Sequence, residues 1–176
     1  MKPLKLLLAT GIAVCLSLQM HAQQITGKML KEWERAKAYT KEYLEVMPEG
    51  SYGLKPTPEM RSFAEQMLHL AEANFGFAAA ASGSTLPGKP GDLEKNSDKT
   101  KPAVTKTVMD SYDYVIDKLK TMTDAQLPEK IKLFGRFDLT KGEAFEKAFE
   151  HQTHHRGQTT VYIRLAGAKP PQEKLF

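Results

Sequence analysis

Four stretches of the chain place apolar residues three and four positions apart, the period of one face of an α-helix. The first covers residues 26–47, where Met29, Leu30, Trp33, Ala36, Tyr43 and Leu44 share a face and Lys28, Lys31, Glu32, Arg35, Lys41 and Glu42 lie mostly opposite. Pro48-Glu49-Gly50-Ser51 ends it, and the linker beyond carries Tyr52 and Leu54, two apolar anchors placed to fold back over the end of a bundle. The second stretch is expected to open with Thr57 as N-cap and Pro58 at the first helical position and to continue to about Ala81. Its broad apolar face is Phe63, Met67, Leu70, Ala71, Phe77 and Ala78. The third runs over 102–122 with Val104, Val108, Tyr112, Val115, Ile116 and Leu119 inward. In the fourth, Thr140 followed three residues later by Glu143 is a capping-box signature, so a helix begins there and runs toward Gly167.

Between these stretches the pattern breaks twice. From Ser82 to Lys101 the composition turns to Gly, Pro, Ser, Asp and Lys, a length unusual for a connection inside one domain. Such a segment can cross the full length of a helical bundle, so the second and third helices need not be antiparallel neighbours. From Leu127 to Leu139 the residues alternate weakly, through Ile131, Leu133 and Phe134, which suits an extended strap across the end of the bundle. The architecture this predicts is all-α, a four-helix bundle in a single domain.

Residues 1–22 join a short basic start at Lys2 and Lys5 to an apolar run from Leu6 to Leu18 and a Met20-His21-Ala22 cleavage site. That is the three-part layout of a secretory signal peptide, with an apolar run too short to span a bilayer. Cys15 lies inside this run and lacks the small preceding residue that lipidation would want. Removal after Ala22 leaves a domain of residues 23–176 with no cysteine, hence no disulfide or thiolate chemistry. Loss of Lys2 and Lys5 lowers the formal charge from +4 to +2, and the remaining basic residues are interleaved with acids, so there is no electrostatic footprint for nucleic acid. The expected location is the periplasm or the cell exterior. A small-molecule ligand and a homodimer are the partners that fit, with no lasting membrane insertion.

Candidate chemistry lies in the fourth helix, where His151, His154 and His155 place three of the five histidines within five residues. His151 and His155 stand one turn apart and point the same way, the spacing that lets one metal ion take both. On periodicity alone such a pair is either a half-site or two core histidines. His154 lies about 100° round from His155 and faces a flank or water. Asp110, Asp113 and Asp117 also share helical spacing, but flanking lysines make them a solvated face. Ser62 and Ser111 sit in no nucleophile elbow. His69 falls among Ser62, Glu65, Gln66 and Glu72, on the polar side of its helix, where pattern alone makes it a surface residue.

His151 and His155 followed by Arg156-Gly157-Gln158, an HxxxHRGQ motif, together with the segment from Lys55 through Phe63 into Glu65-Gln66-Met67-Leu68-His69, resemble the DinB-like superfamily of four-helix-bundle metalloproteins. The resemblance spans most of the chain after residue 22. It implies up-down-down-up topology, with the long crossover between the second and third helices, and one divalent metal, nickel or zinc, on His69, His151 and His155. The side of the second helix facing a metal cleft would then be small and polar, as Gln66, His69, Ala73 and Gly76 are. By helical angle Gln158 falls on the His151 flank, where it could orient a ligand or a water. Arg156 falls on the opposite flank, where it could pair with an acid, and Gly157 is suited to close helix packing.

Three imidazoles leave coordination positions open, the arrangement of a catalytic rather than a closed structural ion. The function expected is an exported, metal-dependent enzyme of hydrolase type acting on an unknown small molecule. Alternatives are a non-catalytic metal-binding or stress-related protein and a metal-dependent thiol S-transferase. The catalytic groups themselves stay unassigned, since no HExxH-type glutamate lies beside the ligands.

Overall fold

The structure is a computed structural model that describes residues 24–96 and 98–176. The signal segment expected over 1–22 lies outside the described residues. Four long helices carry the architecture: α1 Gln24–Val46, α2 Phe63–Ser82, α4 Lys101–Lys120 and α5 Lys141–Leu165. A single turn of helix, α3 Asp92–Asn96, interrupts the crossover. A hairpin of β1 Lys130–Leu133 and β2 Phe137–Thr140, with Leu133 opposite Phe137, precedes α5. Among the described residues no helix is long and apolar enough to cross a membrane.

Contacts fix the helix directions. Asn74 bonds Ser111 at 3.1 Å and Phe75 stacks edge-on against Tyr114, while Lys101 at the start of α4 reaches the carbonyl of Met47 just beyond α1. Thus α2 and α4 run parallel and α1 antiparallel to α4. Tyr162 near the end of α5 donates to the Arg61 carbonyl before α2, and Tyr43 meets Thr160, so α5 runs against α2 and along α1. The result is the up-down-down-up order, and the crossover must travel the length of the bundle because α2 and α4 start at the same end.

The core forms where the apolar stripes meet. Phe63, Met67, Leu70 and Ala71 of α2 and Val104, Val108, Tyr112, Val115 and Leu119 of α4 are fully buried. Trp33 of α1 is 1% exposed and lies edge-on to Tyr112 and Phe149, at ring separations of 5.7 and 5.5 Å. Aromatic truncation at such a position costs about 3–5 kcal/mol.

α2 does not begin at Thr57. Thr57 to Met60 is a turn, and the helix starts at Phe63 with Ser62 as N-cap. Ser62 Oγ accepts from the Glu65 amide at 3.2 Å and the Glu65 carboxylate accepts from the Ser62 amide at 2.8 Å, a reciprocal box that the Thr57-Pro58 pair cannot form. The carbonyls of Leu54 and Tyr52 accept from the amides of Phe63 and Ala64, so the linker folds back and satisfies the helix start as well as burying Tyr52. α5 starts as its capping box requires, with Thr140 Oγ1 accepting from the Glu143 amide. The strap over 127–139 is a regular hairpin rather than a single extended run. Strand pairing there satisfies the backbone of a segment too short and too polar to make its own core.

Candidate metal centre

One turn apart on α5, His151 and His155 turn toward α2, where His69 meets them. The ring centroids of His151 and His155 are 4.2 Å apart, those of His69 and His155 4.6 Å, and those of His69 and His151 5.2 Å. One nitrogen from each of the three lies within 4.8 Å of the others. The polar side of α2 thus meets α5 here, and His69 is partly buried rather than fully exposed. His154 is exposed, its ring edge-on to His155 at 4.9 Å, outside the cluster.

Two of the three imidazoles are held from behind. His69 Nδ1 donates to Glu94 Oε2 at 3.1 Å, and the other oxygen of Glu94 accepts from Arg61 Nε at 2.7 Å. With its proton on Nδ1, His69 keeps the Nε2 lone pair free, the arrangement by which a carboxylate fixes tautomer and raises ligand basicity. Glu94 sits on α3, inside the glycine- and proline-rich crossover, and sequence reasoning passed over it. The one available signal was the run Asp92-Leu93-Glu94-Lys95, whose Leu93 packs against the core.

His155 Nδ1 is 2.7 Å from Nε2 of the buried Gln66, and the same Gln66 amide nitrogen donates to Gln158 Oε1. The two amides can be satisfied in either sense. If both turn over, Gln158 donates to Gln66 Oε1, which also accepts from His155 Nδ1–H, leaving Nε2 of His155 unprotonated. Gln158 therefore acts on the cluster through Gln66 and His155 rather than on the His151 flank. The Nδ1 of His151 is buried with no hydrogen-bond partner among the described residues.

Arg156 differs from expectation. Its guanidinium points into the bundle, donates to Gln152 Oε1 at 3.0 Å and Thr40 Oγ1 at 3.4 Å, and lies 4.6 Å from the Tyr39 ring centre. Tyr112 donates to the same Gln152 oxygen at 2.8 Å and shares a hydrogen bond with Thr40 at 2.7 Å. No acid pairs with Arg156 among the described residues, because neutral acceptors and an aromatic face surround it on the α1 and α4 side. Gly157 has open space where a β-carbon would stand, so it is not a close-packing glycine. At Gly76 a β-carbon would stand 3.4 Å from the Phe134 ring, in ordinary contact. Ser62 and Ser111 are occupied in a cap and in a bond to Asn74.

Burial lowers the pKa of all three imidazoles. It takes His155 down to about 3 and His151 to about 4, with the neighbouring imidazoles pushing the same way. For His69 burial comes first and the Arg61 cation second, opposed by Glu94. At neutral pH the cluster is three neutral nitrogen donors, the protonation state a cation needs.

A cavity of about 740 Å³ opens from His69 and His151. Arg61, Glu72 and Glu94 stand at its polar end, and Gly76, Phe77, Ala80, Leu86 and Phe134 form its apolar wall. Glu72 accepts from the Gly91 amide, which ties the crossover to α2. The donor set could hold a metal ion. The imidazoles are neutral, and the 4.8 Å within which their nitrogens lie is somewhat wider than the roughly 3.4 Å between tetrahedral ligands at 2.0–2.1 Å from an ion.

Fold and cluster together define a helical-bundle protein with a three-histidine centre at the mouth of a cavity. The chain belongs to the DinB family, whose model matches residues 20–175. The uncharacterized protein YjoA of Bacillus subtilis is 29% identical over 132 residues, which is 73% of this chain and 82% of that protein. The uncharacterized protein YrdA of the same organism is 36% identical over 75 residues, spanning 40% of this chain and 44% of YrdA. Among solved structures, a DinB-like protein of Bacillus cereus aligns with a TM-score of 0.72 and 19% identity over 83% of this chain and 95% of its own. The crystal structure of YjoA aligns with a TM-score of 0.64 and 21% identity over 85% of this chain and 96% of its own. At these identities the structural likeness is one of fold.

Proposed function

We propose that the chain is an exported, divalent-metal-dependent enzyme of hydrolase type that acts on a small molecule. The observation that carries the reading is the convergence of His69, His151 and His155 beside an open cavity, rather than within a closed shell of four protein ligands. A zinc or nickel ion bound there would supply Lewis acidity, polarising a substrate oxygen or acidifying water.

The chain's own side chains do the rest. Glu94 keeps the proton of His69 on Nδ1, Gln66 orients His155, and Arg61 holds Glu94 in place. Phe77 and Phe134 line one side of the cavity with apolar surface. Both carboxylates at its polar end are engaged, Glu94 with Arg61 and His69 and Glu72 with the Gly91 amide. Among the described residues neither of these carboxylates is left as a free base, which supports the second reading, a non-catalytic metal-binding protein. A thiol S-transferase would use the same ion, but the apolar wall suits a polar, charged thiol cosubstrate poorly.

The test is elemental analysis of the purified protein before and after chelation, with ester, amide and phosphoester substrates run on both forms. One equivalent of metal with turnover that chelation removes supports the enzyme. Metal without turnover supports the binding protein, and no metal under any loading condition removes both readings. Export is tested by sequencing the amino terminus of protein recovered outside the cytoplasm, where Gln23 is expected first; Met1 on cytoplasmic protein contradicts it.

A further inference from the structure

The hairpin before α5 turns on an unsuitable residue. Its β-turn from Leu133 to Arg136 is closed by the Arg136 amide on the Leu133 carbonyl at 3.0 Å, and both central residues lie in the left-handed region, Phe134 at φ 52° and Gly135 at φ 68°. Turns of this kind take Asn-Gly or Asp-Gly, because a side chain with a β-carbon crowds its own backbone there and only short polar ones compensate locally. Among the described residues Phe134 is the one non-glycine with positive φ. Burial does not account for it, since Phe134 is 56% exposed. Its ring instead leans back over the cavity, edge-on to Phe77 at 5.1 Å and against the bare backbone of Gly76. A large aromatic kept where the turn disfavours it, with its ring on the cavity wall beside Phe77, is a local conflict of the sort found at functional positions.

We propose that Phe134 determines specificity: the cavity takes a molecule with an apolar body, an aryl or medium-length alkyl group, laid against Phe134, Phe77 and Gly76 with its polar reacting group at His69, His151 and His155. The volume of about 740 Å³ holds such a body, and the wall offers it no charged partner away from the histidine end. The polar half of this assignment rests on the metal-centre reading. The apolar half does not.

The experiment separates the two halves. Acetohydroxamate and octanohydroxamate are titrated into the zinc-loaded protein by calorimetry. 1-Octanol, which has no chelating head, is titrated into chelated protein with the Gly76 and Gly135 amides followed by NMR. Octanohydroxamate is expected to bind at least about tenfold more tightly than acetohydroxamate, from burial of its methylenes. Phe134→Asn, which suits the turn, is expected to lose most of that ratio while zinc content stays at the wild-type level and the melting temperature holds or rises. Equal affinity for the two hydroxamates overturns the proposal. So does a Phe134→Asn protein that melts lower with the ratio intact, which would make Phe134 a structural residue. If no zinc loads, the metal reading fails and octanol decides alone: shifts at Gly76 and Gly135 that vanish in Phe134→Asn sustain the apolar pocket, and no shifts overturn it.

Discussion

Adjacent residues on α5 divide between two tasks because each step around a helix turns the side chain by about 100°. His151 and His155 face α2, and His151 also lines the cavity, whereas Gln152 and Arg156, one position on from each, face α1 and α4 and knit the three helices through Thr40 and Tyr112. Alanine replacements should sort accordingly. His69→Ala, His151→Ala and His155→Ala are each expected to abolish stoichiometric zinc uptake measured by elemental analysis, and His154→Ala to leave it intact. A protein that loses zinc with His154→Ala but keeps it with His151→Ala would overturn this ligand set. Arg156→Ala should instead retain zinc and lose about 2–4 kcal/mol in urea unfolding, since it leaves buried acceptors unpaired and opens space under Tyr39.

At the scale of elements, the two connections that break the helical pattern both build the site. The crossover brings Glu94 to His69 on a single turn of helix, anchored by Arg61 and by the Gly91 amide on Glu72. Glu94→Gln is expected to weaken zinc binding by about 10–100-fold, the usual effect of removing a carboxylate behind a ligating imidazole, without changing the number of ions bound. A competition titration with a chromogenic chelator measures it. The hairpin delivers Phe134 to the cavity and then hands the chain to Thr140. Thr140→Ala removes the side-chain half of that cap and should lower stability by about 1 kcal/mol, read as a urea midpoint shift.

For the whole molecule, folding encloses three imidazoles in their neutral form. Their ordinary pKa of about 6.5 in the unfolded chain falls to about 4 at His151 and about 3 at His155 in the folded protein. Between those limits the unfolded chain binds protons that the folded one refuses, so protons favour unfolding there. Stability of the metal-free protein should therefore be level above about pH 7 and decline as pH falls from about 6.5 toward 4. A His155→Gln variant is expected to show a shallower decline over that window, and an identical slope would show that His155 is not the group responsible. On the proposed reading, zinc would take the same neutral nitrogens and only in the folded state. At a free concentration about a thousandfold above its dissociation constant it should add about 4 kcal/mol, an increment lost on acidification.

The residue pattern by itself determined the four helices, their apolar faces, the start of α5 and the shared direction of His151 and His155. These follow from periodicity and capping, which act within a few residues of chain. The family resemblance drew His69 to the same cluster, against a pattern that put it on the polar side of its helix. Only the tertiary structure decided that α2 starts at Ser62, because that depended on carbonyls of the returning linker as well as on Glu65. It alone placed Arg156 among neutral groups, since the pattern gives its direction but not what waits there. Glu94 and Phe134 lay in segments without helical period, and their roles come from partners 25 residues away at His69 and across the cavity at Gly76 and Phe77. A local pattern records which way a side chain leaves its own element. What it meets is set by how the elements pack.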